Sequence, residues 1–356
     1  MKTIHIILFG IGNVGSTLIN QINVANEALK KHKGIDVKIP VITNSNLIFT
    51  AENGVESTWE SDFKKFSIPF KIEDVIAYVK QQNFENLIAV DATASVDFVN
   101  NYIPLIENGF HIVSANKIAN TLPLQAYQEL RKTFKQRKKL FFYETNVGAG
   151  LPIIETIQNL YASGEKIKKI RGVFSGSLSY IFNSFSSENE TFSSILDKAS
   201  NLGLTEPDAR EDLSGKDVGR KLLILARELD FKSNFEDVKI ESLIPKQLNG
   251  KTTALQFKTC SHELDLPFET LKNDQAPDCV LRYIGELDTE TEKLEVKLIS
   301  ESKSSSIGQL KGADAIFEIF TESYGEQPLV IQGAGAGKNV TARGLLSDIV
   351  KLSCQL

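Results

Sequence analysis

The chain opens with M-K-T-I-H-I-I-L-F-G-I-G-N-V-G, an apolar run that enters a glycine turn within its first ten residues. Few contexts suit such a run. Ile4 to Phe9 reads as a strand buried on both faces, the signature of a parallel sheet, and Asn13 to Ile22 as the helix after it. Further apolar runs follow at Val37 to Thr43, Leu87 to Thr93, Phe110 to Ser114 and Leu140 to Tyr143, alternating with helical segments. That alternation predicts an α/β fold with a doubly wound parallel sheet. In such sheets ligands bind outside the carboxyl ends of the strands. The residues to watch therefore follow each run: Gly10 to Gly15, Thr93 and Ser95, and Ser114 to Lys117.

G-I-G-N-V-G has the spacing of a dinucleotide turn. Gly10 makes the bend, Gly12 lets a pyrophosphate approach the backbone, Gly15 permits close helix packing, and Ile11, Asn13 and Val14 complete the turn. An acid that grips the adenosine ribose is expected at the end of the second strand. That strand ends V-I-T-N-S-N, and Asp36 stands at its start. The pattern leans to NADP, or to use of both NADP and NAD. Lys30, Lys31 and Lys33 are the nearest cations for a 2′-phosphate.

Beyond about residue 146 the character changes. Lys168 to Ser175, Glu295 to Ser300 and Ala315 to Thr321 read as strands of a second sheet. Helices are expected at Leu151 to Ala162, Phe192 to Asn201 and Lys221 to Leu229. The tail Q-P-L-V-I-Q-G-A-G-A-G-K-N repeats the strand, glycine and helix plan, which adds Gly335 and Gly337 to the cofactor candidates. The expected division is 1–145 with 326–356 as a dinucleotide-binding domain, and 146–325 as a second α/β domain.

G-L-T-E-P-D-A-R-E-D-L-S-G-K-D-V-G-R-K, Gly203 to Lys221, concentrates acids and bases with few apolar residues among them. It suits a polar pocket for a small substrate bearing an amino group, a carboxylate and an oxygen to be protonated. Lys221 begins an apolar helix directly after it, and a lysine near apolar walls suits acid–base work. Y-E-T-N-V-G-A-G-L-P leaves carbonyl oxygens accessible near Glu144, a donor set for a hard cation; a tight interdomain hinge is the plainer reading. F-S-G-S-L-S-Y is not a nucleophile elbow and reads as a turn lining the pocket.

Composition removes several classes. Net charge is −5 with no long basic stripe, which argues against nucleic acid. The basic run Arg131 to Lys139 reads as the solvated end of a helix. No apolar run reaches membrane-spanning length and no signal peptide precedes the first strand, so a cytoplasmic protein is expected. Cys260, Cys279 and Cys354 are far apart and the four histidines show no ligand spacing, which argues against disulfides and zinc.

Taken in order, G-I-G-N-V-G, S-A-N-K-I-A-N-T, E-T-N-V-G-A-G-L-P-I-I-E, F-S-G-S-L-S-Y-I-F, the Gly203 to Glu228 block and I-Q-G-A-G-A-G resemble homoserine dehydrogenase. The likeness covers nearly the whole chain, and it is particularly to the dehydrogenase half of the fused aspartokinase–homoserine dehydrogenases. Neither the kinase half nor an appended regulatory domain is expected here, which puts direct feedback by threonine in doubt. The resemblance implies a Rossmann-type domain with a second catalytic and dimerisation domain. It implies reversible NAD(P)H-dependent reduction of L-aspartate 4-semialdehyde to L-homoserine, in threonine, methionine and isoleucine biosynthesis, by a homodimer. It places Glu206, Asp212 and Asp217 at the substrate and Lys117 and Lys221 as acid–base lysines. Glu144, Val147, Ala149 and Leu151 fall at a monovalent cation site, for Na+ or K+. Which lysine gives the proton stays open; Lys221 is the hypothesised donor, directly or through water, with Lys117 orienting the carbonyl. An aspartate-semialdehyde dehydrogenase would need a cysteine thiolate, and no cysteine falls in a strand-end loop. A silent dinucleotide-binding protein would not need this set of acids and lysines.

Overall fold

The computed structural model describes residues 1–248 and 253–356, which form two compact units: Met1–Gly150 with Gly337–Leu356, and Leu151–Ala336. In the first, β1 (Lys2–Phe9), β2 (Ile35–Thr43), β3 (Leu47–Thr50), β4 (Ile68–Pro69), β5 (Leu87–Asp91), β6 (His111–Ser114) and β7 (Phe141–Phe142) build one sheet. Its order is β4-β3-β2-β1-β5-β6-β7, with β2, β1, β5, β6 and β7 parallel and β3 and β4 antiparallel at one edge. The chain winds outward from β1 to one side and returns beside it as β5, so the direction reverses between those two strands. A crevice opens at such a reversal.

Alternation along β1 explains why both faces are covered. Ile4, Ile6 and Leu8 join one core with Leu18, Ile19 and Ile22 of helix Asn13–Lys33 and Leu345, Leu346, Ile349 and Leu352 of helix Lys338–Ser353. Ile7 and Phe9 point into the other, with Val75, Val79, Leu105, Leu130 and Phe134. Helix Asn13–Lys33 runs well past Ile22 because Ala25 and Leu29 continue its apolar stripe; Gly34, left-handed at φ 66°, ends it.

In the second unit β8 (Ile167–Val173), β9 (Lys239–Ile240), β10 (Cys279–Asp288), β11 (Lys293–Ser302), β12 (Asp314–Thr321) and β13 (Leu329–Ala334) form a sheet of order β13-β12-β8-β10-β11-β9. Its ladders are antiparallel except for β9 on β11. Helices Gly176–Ser187 and Lys216–Glu228 pack on β10. The tail divides where one continuous return was expected. β13 pairs with β12 in the second sheet and only the helix after Gly337 lies in the first unit, because Leu329 to Ala334 complete β12's ladder edge. The boundaries therefore fall at Gly150 and Gly337 and not at 145 and 326. The three cysteines are free thiols. No helix among the described residues is long and apolar enough to cross a membrane.

Candidate active site

The glycine turn sits at the carboxyl end of β1 and opens helix Asn13–Lys33. Gly10 is left-handed at φ 93°, and a side chain there would press on the Ala92 carbonyl at 3.0 Å. A Cβ on Gly15 would fall 1.9 Å from the Gly10 carbonyl oxygen, so only glycine lets the helix start this close. Gly12 faces open space. Helix Asn13–Lys33 has no side-chain cap and no acid in its first turn, which leaves its N–H groups and dipole for an anion. A cleft of about 1050 Å³ opens there, with Gly10, Ile11, Gly12, Thr93 and Ser95 in its wall. These residues fit a dinucleotide phosphate.

Asp36 pairs with Thr3 at the start of β2, whereas Thr43 pairs with Phe9 at its end. Seven residues of strand put that acid roughly 23 Å from the crevice. Lys30, Lys31 and Lys33 occupy the last turn of helix Asn13–Lys33, at the end remote from the glycines, and Lys30 is paired with Glu27 and Asp36. None of the three lines the cleft, so the candidates nearest in sequence are remote from it in the fold.

Beneath the cleft lies a buried polar network that the motifs do not announce. Asp91 ends β5, and its carboxylate accepts from Thr93 N–H (2.8 Å), the Tyr102 hydroxyl (2.9 Å) and Asn116 Nδ2 (3.1 Å). Burial pushes the Asp91 carboxyl above its usual range, against these hydrogen bonds. Asn116 also donates to Ser95 O (2.9 Å), and its Oδ1 accepts from Ile118 N–H (3.1 Å). Ser114 is fully buried; its hydroxyl lies 2.8 Å from that of Tyr102, and its carbonyl accepts from Asn146 Nδ2 at 2.8 Å. Ser114 thus braces the cleft floor. Lys117 follows at once, at the start of helix Ile118–Thr121.

Glu144, Val147 and Ala149 are all buried, and Ala149 takes a left-handed conformation at φ 54°. Asp348 Oδ2 accepts from Glu144 N–H at 2.9 Å. Leu151 is the first residue of the second unit. No group of three or more His, Cys, Asp or Glu suited to a metal lies among the described residues. A Cβ on Gly335 would fall 2.3 Å from that of Ala315 in the second sheet, a packing reason for the glycine, while Gly337 stands before helix Lys338–Ser353.

In the second unit, helix Lys216–Glu228 buries Val218, Leu222 and Leu225 on one stripe, and Lys221 lies on that same stripe. Its Nζ donates to Phe174 O at 2.7 Å and lies 3.4 Å from Asp217 Oδ2, one turn earlier on the same helix. Asp217 is nearly half exposed, so the pair spans from core to surface. Asp212 is a brace. Its Oδ1 accepts from the Ser177 hydroxyl (2.6 Å) and its Oδ2 from Glu206 N–H (2.9 Å), which ties the Glu206 turn to the start of helix Gly176–Ser187. Burial raises the Asp212 carboxyl above its usual range, opposed by the Ser177 hydrogen bond. Asp208 and Arg210 pair with each other, and the guanidinium holds the Asp208 carboxyl below its usual range. The F-S-G-S-L-S-Y turn thus supplies both the carbonyl that holds Lys221 and the hydroxyl that holds Asp212. Spacing alone did not reveal either bond.

Residues 10–144 match the family described as homoserine dehydrogenase, NAD binding domain, and residues 152–350 match homoserine dehydrogenase. The chain is 40% identical over 352 residues to a bifunctional aspartokinase/homoserine dehydrogenase of Buchnera aphidicola, covering 98% of this chain and 43% of the relative. It is 35% identical over 372 residues to a homoserine dehydrogenase of Paracoccidioides brasiliensis, covering 99% and 98%. A crystal structure of a Candida auris protein of unknown function superimposes with a TM-score of 0.90 at 31% identity, covering 100% of this chain and 99% of that one. The chain spans about two fifths of the length of the bifunctional relatives it matches. With both family matches in order along the chain and a relative of its own length, the chain belongs to the homoserine dehydrogenase family.

Proposed function

We propose that this chain catalyses the reversible NAD(P)H-dependent reduction of L-aspartate 4-semialdehyde to L-homoserine. The observation that carries the reading is Lys221: a buried amine held by a carbonyl and a carboxylate, beside a turn braced by Asp212. The first unit is the dinucleotide-binding domain and the second takes the substrate. The nicotinamide, when bound, supplies the hydride that reduces the aldehyde carbon. The chain must then deliver a proton to the new alkoxide. Lys221 gives that proton and regains one from solvent, while Lys117 orients and polarises the carbonyl. Glu206 and Asp217 hold the substrate amino group and hydroxyl end, which converts binding energy into orientation. The Gly10 to Gly15 turn and the uncapped helix hold the pyrophosphate. Glu144, Val147, Ala149 and Leu151 would hold a monovalent cation through oxygen. A homodimer through the second unit, in the cytoplasm, completes the reading.

The test is growth of the reduced-nicotinamide absorbance with L-homoserine and NADP or NAD, in sodium and in potassium buffers. Turnover is expected. Lys221→Ala should lower kcat by roughly 10²–10⁴-fold, and Lys117→Ala should chiefly raise KM. The reverse split would exchange the two roles, and no turnover in any buffer would sink the reading.

A further inference from the structure

The adenosine end of the cleft carries one charged group whose purpose the glycine turn does not explain. β2 ends at Thr43 and continues into Asn44 and Ser45, with no carboxylate. Asn44 Oδ1 accepts from Asn46 N–H (2.9 Å) and Leu47 N–H (2.7 Å), which turns the chain back into β3. β4 then lies antiparallel on β3, with Pro69 opposite Leu47 and Ile68 opposite Ile48. This register carries the residues after Pro69 back to the Thr43 end of β2. Lys71 therefore lines the same cleft as Gly10, Gly12, Asn44 and Ser45. It is the one lysine or arginine among the described residues of that wall, and Asp97, after β5, is the one acid. Its backbone N–H donates to Asp74 Oδ2 at 2.8 Å, which fixes where the side chain departs, and that side chain is exposed.

A ribose 2′-hydroxyl is gripped by a hydrogen-bond acceptor, best a carboxylate; a 2′-phosphate calls for a cation. Here β2 ends without a carboxylate and a cation stands beside its end. We infer that Lys71 is the residue that selects the cofactor, its ammonium engaging a 2′-phosphate on the adenosine ribose, so that the chain prefers NADP to NAD. Lys71 reaches this position from the start of the helix after β4, not from the end of β2. The inference rests on the dinucleotide reading of the cleft and deepens it.

Two measurements test it. In wild-type protein the ratio of kcat/KM for NADP over NAD should exceed one. Lys71→Met should lower that ratio at least tenfold through the KM for NADP, with the KM for NAD and both kcat values unchanged, while Lys71→Arg keeps most of the preference. Separately, calorimetric titration with adenosine 2′,5′-bisphosphate should show binding weakened at least tenfold in Lys71→Met, while adenosine 5′-monophosphate binds both proteins alike. A wild-type preference for NAD, or a ratio and a bisphosphate affinity unmoved by Lys71→Met, overturns the inference. Because the titration needs no turnover, it decides Lys71 even if homoserine proves not to be a substrate.

Discussion

At the scale of single residues, a dense run of charge has been divided into tasks. Asp208 and Arg210 neutralise each other, Asp212 braces, and Asp217 and Lys221 form the pair that runs from surface to core. The brace is testable through its hydroxyl. Ser177→Ala removes one hydrogen bond from a half-buried carboxylate, a loss of about 1–2 kcal/mol. The KM for homoserine should then rise about tenfold with kcat changed less, and Ser177→Thr should restore it; an equal fall in kcat alone would mean that Asp212 acts on the reacting atoms. Much of this site was legible in sequence because Asp217 and Lys221 lie one helical turn apart, a spacing that fixes proximity. The Ser177–Asp212 and Phe174–Lys221 bonds were not, since they join segments far apart in the chain. Lys71 escaped for a related reason: only the β3–β4 register brings it to the cleft.

At the scale of elements, β1 and its glycine turn were readable residue by residue, because a strand buried on both faces and a tight turn are local demands. β13 was misplaced because its glycines resemble those of the N-terminus, while what positions it is pairing with β12. β10 went unrecognised as a strand: Arg282 and Glu286 interrupt its apolar run, although it lies between β8 and β11. β6 carries a titratable fastening. His111 Nδ1 accepts from Leu140 N–H at 3.0 Å, and burial, with the Lys139 charge, lowers its pKa to about 4 from 6.5. Protonation would set one donor against another. The unfolded chain takes up that proton near 6.5 and the folded one only near 4, so this contribution is full above 6.5 and is lost as pH falls toward about 4. His111→Asn keeps an acceptor that does not titrate. Its melting temperature should fall less than that of the wild type across this window, and an identical slope would place the pH sensitivity elsewhere.

At the scale of the whole molecule, the second unit is inserted in the first, which closes only when helix Lys338–Ser353 covers Leu18, Ile19 and Ile22. Leu345, Leu346, Ile349 and Leu352 each contribute roughly 1.5–3 kcal/mol by burial. Together that rivals the ~5–15 kcal/mol by which domains are stable at all. Removing residues 338–356 should therefore abolish dinucleotide binding and one calorimetric transition, while a transition from the second unit persists. Retained binding would show that the first unit closes without its final helix. The same insertion sets an order of events on the ribosome. Every strand of the second sheet has been translated before the helix that completes the dinucleotide fold exists. The nascent chain therefore exposes the bare face of β1 and its helix until residues 338–353 have been made, and holding that face apart from other apolar surfaces is work for a chaperone or for speed.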